Sequence, residues 1–123
     1  MNSKVLYVDD ESDIREIALL ALELDPALVV RVCASGQEAL DMAQGWKPDL
    51  ILLDVMMPHM DGPTTLSRLR DQSQLAHTPV VFITARTQAT ECEWLLNLGA
   101  SGVIAKPFDP MTLANDVRVY LDA

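Results

Sequence analysis

Basic residues are scarce in this chain: nine lysines and arginines stand against eighteen aspartates and glutamates in 123 residues, giving a formal net charge of −9. Neutralising a phosphate backbone needs clustered Lys and Arg, so no nucleic-acid surface is expected on this domain. Cysteine is almost absent. Cys33 and Cys92 have neither metal-ligand nor CxxC spacing, and read as small core residues in a reducing compartment. No apolar run reaches membrane-spanning length, and residues 1–4 lead into a strand without the basic stretch, apolar core and cleavage site of a signal peptide. A soluble cytoplasmic protein is the expectation. Nucleotide binding lacks a motif, since neither GxGxxG nor GxxxxGK[ST] occurs.

Apolar residues, by contrast, make up half of the chain, enough for one domain over residues 1–123 to bury a core without staples. Short β-branched runs at 5–8, 29–33, 50–53, 80–83 and 103–105 alternate with segments of helical period. In the first such segment Ile14, Ile17, Ala18, Ala21 and Leu24 share one helix face. Ser35 with Glu38 has the spacing of a capping box, Asp13 with Glu16 offers another, and Asp109 precedes a proline at a first helical position. Asp61-Gly62 reads as a turn. Five strand–helix units result, which predicts an α/β fold: a doubly wound, five-stranded parallel sheet flanked by five helices.

In such sheets ligands bind beyond the carboxyl ends of the strands. Asp9 and Asp10 follow the first strand, Asp54 the third, Thr84 the fourth and Lys106-Pro107 the fifth. Asp54 is the most conspicuous, because it ends the apolar run Leu50-Ile51-Leu52-Leu53, and a carboxylate there needs a cation, a partner or a reaction. Taken singly, each residue has a plain alternative: Asp9, Asp10 and Glu11 as caps or solvated loop, Asp54 as a paired carboxylate, Thr84 as a strand-end hydroxyl, Lys106 as a loop lysine. Glu11, Ser12 and Asp13 are read as helix-start residues. His59 and His77 read as surface loop residues, and Met56, Met57 and Met60 as loop packing.

The order and context of Asp9, Asp10, Asp54, Thr84 and Lys106, with Val55-Met56-Met57-Pro58, Met60-Asp61-Gly62, Ile83-Thr84-Ala85 and Ala105-Lys106-Pro107-Phe108, resemble the receiver domain of two-component response regulators over essentially the whole chain. The resemblance implies strand order 2-1-3-4-5. It also implies that Asp54 is the phosphoacceptor, taking a phosphoryl group from a phosphohistidine of a sensor histidine kinase or histidine phosphotransfer protein, or from a small phosphodonor. Mg²⁺ is the implied cofactor, with Asp10, Asp54 and the Met56 carbonyl as direct ligands and Asp9 acting through water. Lys106 and Thr84 would stabilise the transferred phosphoryl group, and Pro107 would follow a cis peptide that aims the lysine. Met56 and Arg86 occupy positions that influence hydrolysis of the acyl phosphate in this family. The expected protein is a signalling switch with a downstream protein target and no direct membrane or nucleic-acid contact; it is not an enzyme beyond its own phosphorylation and dephosphorylation.

Val103 departs from the pattern, because it stands where receivers commonly carry the switching Tyr or Phe. Any response to phosphorylation is therefore expected in residues 86–91 and the fourth helix. Ser101-Gly102 replaces the acidic pair typical of transcription-factor receivers, which leaves at most a weak homodimer. In the fourth helix Ala89, Cys92, Leu95, Leu96 and Gly99 form the expected core set, with Trp94 packed at its edge in preference to facing a partner. A phosphatase with an aspartyl-phosphate intermediate would need a second acid two residues after Asp54, where Met56 stands. A phosphorylation-independent pseudo-receiver is the remaining alternative. The chain ends at Ala123, just after the fifth helix, with no room expected for an output domain.

Overall fold

The computed structural model describes residues 2–122; Met1 and Ala123, the ends of the expected 1–123 domain, lie outside the described residues. Five parallel strands alternate with five helices. They run in the order β1 (Ser3–Val8), α1 (Ser12–Leu22), β2 (Leu28–Cys33), α2 (Gly36–Trp46), β3 (Leu50–Asp54), α3 (Gly62–Arg70), β4 (Val80–Thr84), α4 (Ala89–Asn97), β5 (Gly102–Ala105) and α5 (Leu113–Leu121), with a 3-10 turn at Ser73–Leu75 before β4. The sheet order is β2-β1-β3-β4-β5. Every residue of β3 and β4 is buried, and the period-two alternation divides each strand between two cores. Leu6, Val8, Ile51, Leu53 and Phe82 pack against α2, α3 and α4. Val5, Tyr7, Leu50, Leu52, Val81 and Ile83 pack against α1 and α5. A strand covered on both faces must be apolar throughout, which explains the continuous runs.

Helix starts and faces depart from the sequence reading in four places. The buried side of α1 is Ala18, Ala21 and Leu22, whereas Ile17 is 42% exposed and Leu24, beyond the helix end, 61%. The small alanines let α1 approach the sheet, and the larger residues are left outside. Asp13 lies inside the first turn of α1, so it is no cap; Glu11 holds that position and makes no side-chain capping bond. At the fifth helix, Asp109 caps a turn that precedes it: its carboxylate accepts from the Met111 N–H at 2.8 Å, and α5 begins only at Leu113. Asp61-Gly62 is a helix start. The Asp61 carboxylate accepts from the Thr64 N–H at 2.8 Å, with Pro63 in the first turn. Ser35 caps α2 as its spacing predicts, accepting from the Glu38 N–H at 3.1 Å.

Gly62 fixes how closely α3 approaches the end of β3. A Cβ there would fall 2.4 Å from the Asp54 carbonyl oxygen and 2.9 Å from the Val55 Cα. The fourth helix is held more loosely. Of its residues only Leu95 is buried, Leu96 is 46% exposed, and residues 85–90 are all exposed. The expected α4 core set is thus reduced to one anchor, because a nine-residue helix over an edge strand of four residues has little sheet to cover.

Candidate functional site

The parallel register delivers the expected residues to one edge. Val8 lies beside Leu53, Asp54 beside Ile83 and Thr84 beside Ala105, so Asp9, Asp54, Thr84 and Lys106 all emerge at the carboxyl ends of adjacent strands. Beyond this edge the chain order reverses between β1 and β3, which opens a crevice. Ligand oxygens of Asp9, Asp10 and Asp54 lie within 4.8 Å of one another. Asp9 and Asp54 are buried and Asp10 is exposed.

Asp9 is the best satisfied of the three. Its carboxylate accepts from the buried Tyr7 hydroxyl at 3.0 Å, the Glu11 N–H at 2.9 Å and the Lys106 ammonium at 3.0 Å. Lys106 also donates to Glu11 Oε1 at 3.1 Å and to Asp54 Oδ2 at 3.4 Å, so all three of its N–H bonds are engaged. Burial works against the Lys106 ammonium, yet hydrogen bonds to Asp9 and Glu11 and the charge of Asp54 outweigh it and hold its pKa above the usual lysine range. Asp54 has the opposite balance. Burial first, and the Asp9 carboxylate second, push its pKa up to about 6, against the opposing pull of Lys106 and a backbone hydrogen bond from Met56. Burial and the charge of Asp9 raise the Tyr7 hydroxyl pKa as well, which keeps it a donor.

Thr84 is buried and its hydroxyl oxygen accepts from the Arg86 N–H at 3.0 Å. The Lys106–Pro107 peptide bond is cis. A cleft of about 390 Å³, lined by Glu11, Asp54, Met56, Thr84 and Lys106, gives access to the acidic cluster. A second cleft of about 670 Å³ runs from Met56 and Thr84 past Arg86 to Trp94. Met56 and Thr84 border both. Met56 is 65% exposed, while Met57 is buried and Met60 packs on the core; loop packing therefore describes the latter two and not Met56. Trp94 is 47% exposed, contrary to the expected buried packing, because α4 turns only Leu95 fully inward.

Val103 is partly buried, pairs with Phe82 across the sheet and packs on the α2–α3–α4 core. His59 and His77 are exposed, as expected of loop residues. Cys33 is buried, and burial lifts its thiol pKa to about 11, which leaves it unreactive; Cys92 is partly buried and both are free. Sequence reading missed two members of the site. Glu11 was assigned only to the start of α1, yet its carboxylate reaches Lys106. Tyr7 was assigned only to the strand, although its two-residue spacing from Asp9 puts both on one face.

Residues 5–118 match the family model of the response regulator receiver domain. The chain is 37% identical over 117 residues to the transcriptional regulatory protein CseB of Streptomyces coelicolor, covering 95% of this chain and 48% of that protein. It is 38% identical over 122 residues to the alkaline phosphatase synthesis transcriptional regulatory protein PhoP of Bacillus subtilis, covering 98% and 49%. The chain spans about half the length of these curated relatives. Among solved structures, chemotaxis protein CheY4 of Vibrio cholerae superposes with a TM-score of 0.89 at 36% identity, covering 97% of this chain and 98% of that one. The receiver domain of the Francisella response regulator 1452 gives 0.88 at 30%, covering 98% of both.

Proposed function

This chain belongs to the response regulator receiver domain family, and from that premise we propose that it is a phosphorylation-dependent signalling switch with Asp54 as phosphoacceptor. The observation that carries the reading is Asp54 itself: a buried carboxylate with a pKa near 6, held by one ammonium and open to a cleft. At neutral pH it is largely ionised and weakly solvated. Its oxygen attacks the phosphorus of a phosphohistidine in line as the P–N bond breaks, and the imidazole leaves with the electron pair.

Lys106 and Thr84 stand where charge accumulates. Lys106 gives up a carboxylate for a phosphoryl oxygen, and the Thr84 hydroxyl rotates to donate to another. The donor set also fits a hard divalent cation, since carboxylate oxygens of Asp9, Asp10 and Asp54 lie within 4.8 Å of one another. Asp10, Asp54 and the Met56 carbonyl would hold Mg²⁺, with Asp9 contributing through water. Held by these residues, Mg²⁺ would supply positive charge against the repulsion between the carboxylates and the incoming phosphoryl group. Met56 and Arg86 flank the approach of water and so modulate hydrolysis.

The donor in this reading is a sensor histidine kinase or a histidine phosphotransfer protein in the cytoplasm. The output passes to a protein partner through residues 86–91 and α4, where residues 86–90 are exposed and only Leu95 of the helix is buried. Val103 offers no ring to swing, and Ser101-Gly102 leaves self-association weak. The curated relatives are transcriptional regulatory proteins about twice as long; with nine basic residues against eighteen acidic, residues 1–123 themselves are proposed to make no nucleic-acid contact. Incubation with acetyl phosphate and Mg²⁺ tests the chemistry. Mass spectrometry is expected to detect a phosphoryl adduct that is absent in Asp54→Asn. No adduct on a Mg²⁺-loaded wild type would transfer the preference to a pseudo-receiver.

A further inference from the structure

We propose that Glu11 is a positioning residue that parks Lys106 in the unphosphorylated state and thereby slows the acceptance of a phosphoryl group. The inference rests on the reading of Asp54 as phosphoacceptor and concerns what Lys106 must release when the reaction occurs. Glu11 occupies the N-cap position of α1, where Ser, Thr, Asp or Asn is favoured because a short side chain reaches the free N–H groups. Its carboxylate does no capping. It extends instead across the crevice to Lys106 Nζ at 3.1 Å, ninety-five residues away in sequence.

The three bonds of Lys106 are not equivalent. Asp9 is fully buried and fixed by Tyr7 and the Glu11 N–H. Asp54, at 3.4 Å, is the longest partner. The Glu11 side chain is 60% exposed, so it is the partner that can swing into solvent and be replaced by a phosphoryl oxygen. As an Asp54 oxygen bonds to phosphorus and the acetyl-phosphate P–O bond breaks, acetate leaves with the electron pair and Lys106 turns toward the transferred group. The Glu11 pair is lost in that turn, and an exposed ion pair of this kind slows the step by about two- to fivefold. Once the acyl phosphate has formed, Glu11 no longer touches Lys106 and has no further influence.

The test compares acetyl-phosphate labelling and acyl-phosphate hydrolysis in wild type, Glu11→Gln, Lys106→Met and the double variant, with Mg²⁺ throughout. Glu11→Gln is expected to accelerate labelling about two- to fivefold, leave hydrolysis unchanged, and have no effect in the Lys106→Met background. Unchanged or slower labelling overturns the proposal. So does a parallel change in hydrolysis, or an acceleration that persists without Lys106, which would mean simple repulsion of the anionic donor. No adduct in wild type overturns the phosphoacceptor reading and this inference with it, whereas normal wild-type labelling without a Glu11→Gln effect overturns this inference alone.

Discussion

Removing the Asp54 carboxylate should make the metal-free protein more stable. In Asp54→Asn the side chain keeps its shape and loses the charge that burial and Asp9 oppose. Two routes give the magnitude. Unit charges 4.8 Å apart, the limit within which the three carboxylates lie, repel by about 3 kcal/mol at an effective dielectric near 20. A rise of the Asp54 pKa from 3.8 to about 6, at ~1.4 kcal/mol per unit, is also about 3 kcal/mol. The second figure already contains the opposing pull of Lys106, and the amide dipole of Asn recovers little of it, so a gain of about 1–3 kcal/mol is expected near neutral pH.

The pH dependence separates this from a packing effect. Asp54 has a raised folded pKa, so between its unfolded and folded values the native state binds more protons than the unfolded chain. Wild-type stability therefore carries a component that is present at about pH 4, falls as pH rises towards about 6, and stays lost above it. Other carboxylates act in the opposite direction; the hydrogen bond from Arg118 lowers the pKa of Asp25, for example. The difference between variant and wild type, measured by urea denaturation in EDTA at several pH values, cancels these. It should be smallest near pH 4 and grow to its plateau by about pH 7. A variant less stable than wild type at neutral pH, or a difference independent of pH, would refute the argument.

Mg²⁺ is expected to stabilise wild type and not Asp54→Asn, with a Tm shift that rises with concentration in one protein and is flat in the other. Gly62→Ala should cost about 1–3 kcal/mol in chemical denaturation and slow labelling of Asp54, because the added Cβ meets the Asp54 carbonyl at 2.4 Å. Tyr7→Phe leaves a buried Asp9 oxygen without its hydroxyl donor and should destabilise by about 1–2 kcal/mol by the same measurement. With a beryllofluoride phosphoryl mimic, amide shifts in solution NMR should concentrate in residues 86–91 and α4; an undisturbed loop would count against the proposed output.

The sheet was legible because its signals are redundant. Each of β1, β3 and β4 is an apolar run closed by a polar residue, and burial on both faces leaves few other sequences for such a strand. The convergence of Asp9, Asp10, Asp54, Thr84 and Lys106 at one edge was legible for the same reason, since strand ends are where parallel register concentrates polar groups. Helix faces were less so. Ile17 and Leu24 fit the period of α1, but the sheet accepts only Ala18, Ala21 and Leu22, and that selection depends on how closely the helix approaches. Glu11 was read only as a helix-start residue because its contact is with Lys106, and nothing local to residues 9–13 encodes a partner ninety-five positions on. Trp94 was misplaced because period alone does not tell how much sheet lies under α4.

The exposed α4 segment and the missing ring at Val103 have one physical connection in Thr84. Its hydroxyl oxygen holds the Arg86 N–H at 3.0 Å, and under the proposed chemistry the same hydroxyl turns to donate to the phosphoryl group. Reorienting it weakens the first hydrogen bond of a segment whose residues 85–90 are all exposed. With Leu95 the one buried residue of α4, this segment has few packing contacts to oppose a shift by a bond worth about 1 kcal/mol. A receiver with a bulky ring at position 103 would couple that movement to the ring's burial. Here Phe82 and the core already hold Val103, so under the proposed function the response would be confined to the loop and the cleft between Met56 and Trp94. Thr84→Ala should accordingly still accept a phosphoryl group at Asp54 while abolishing the shifts in residues 86–91, and persistence of those shifts would disprove the link.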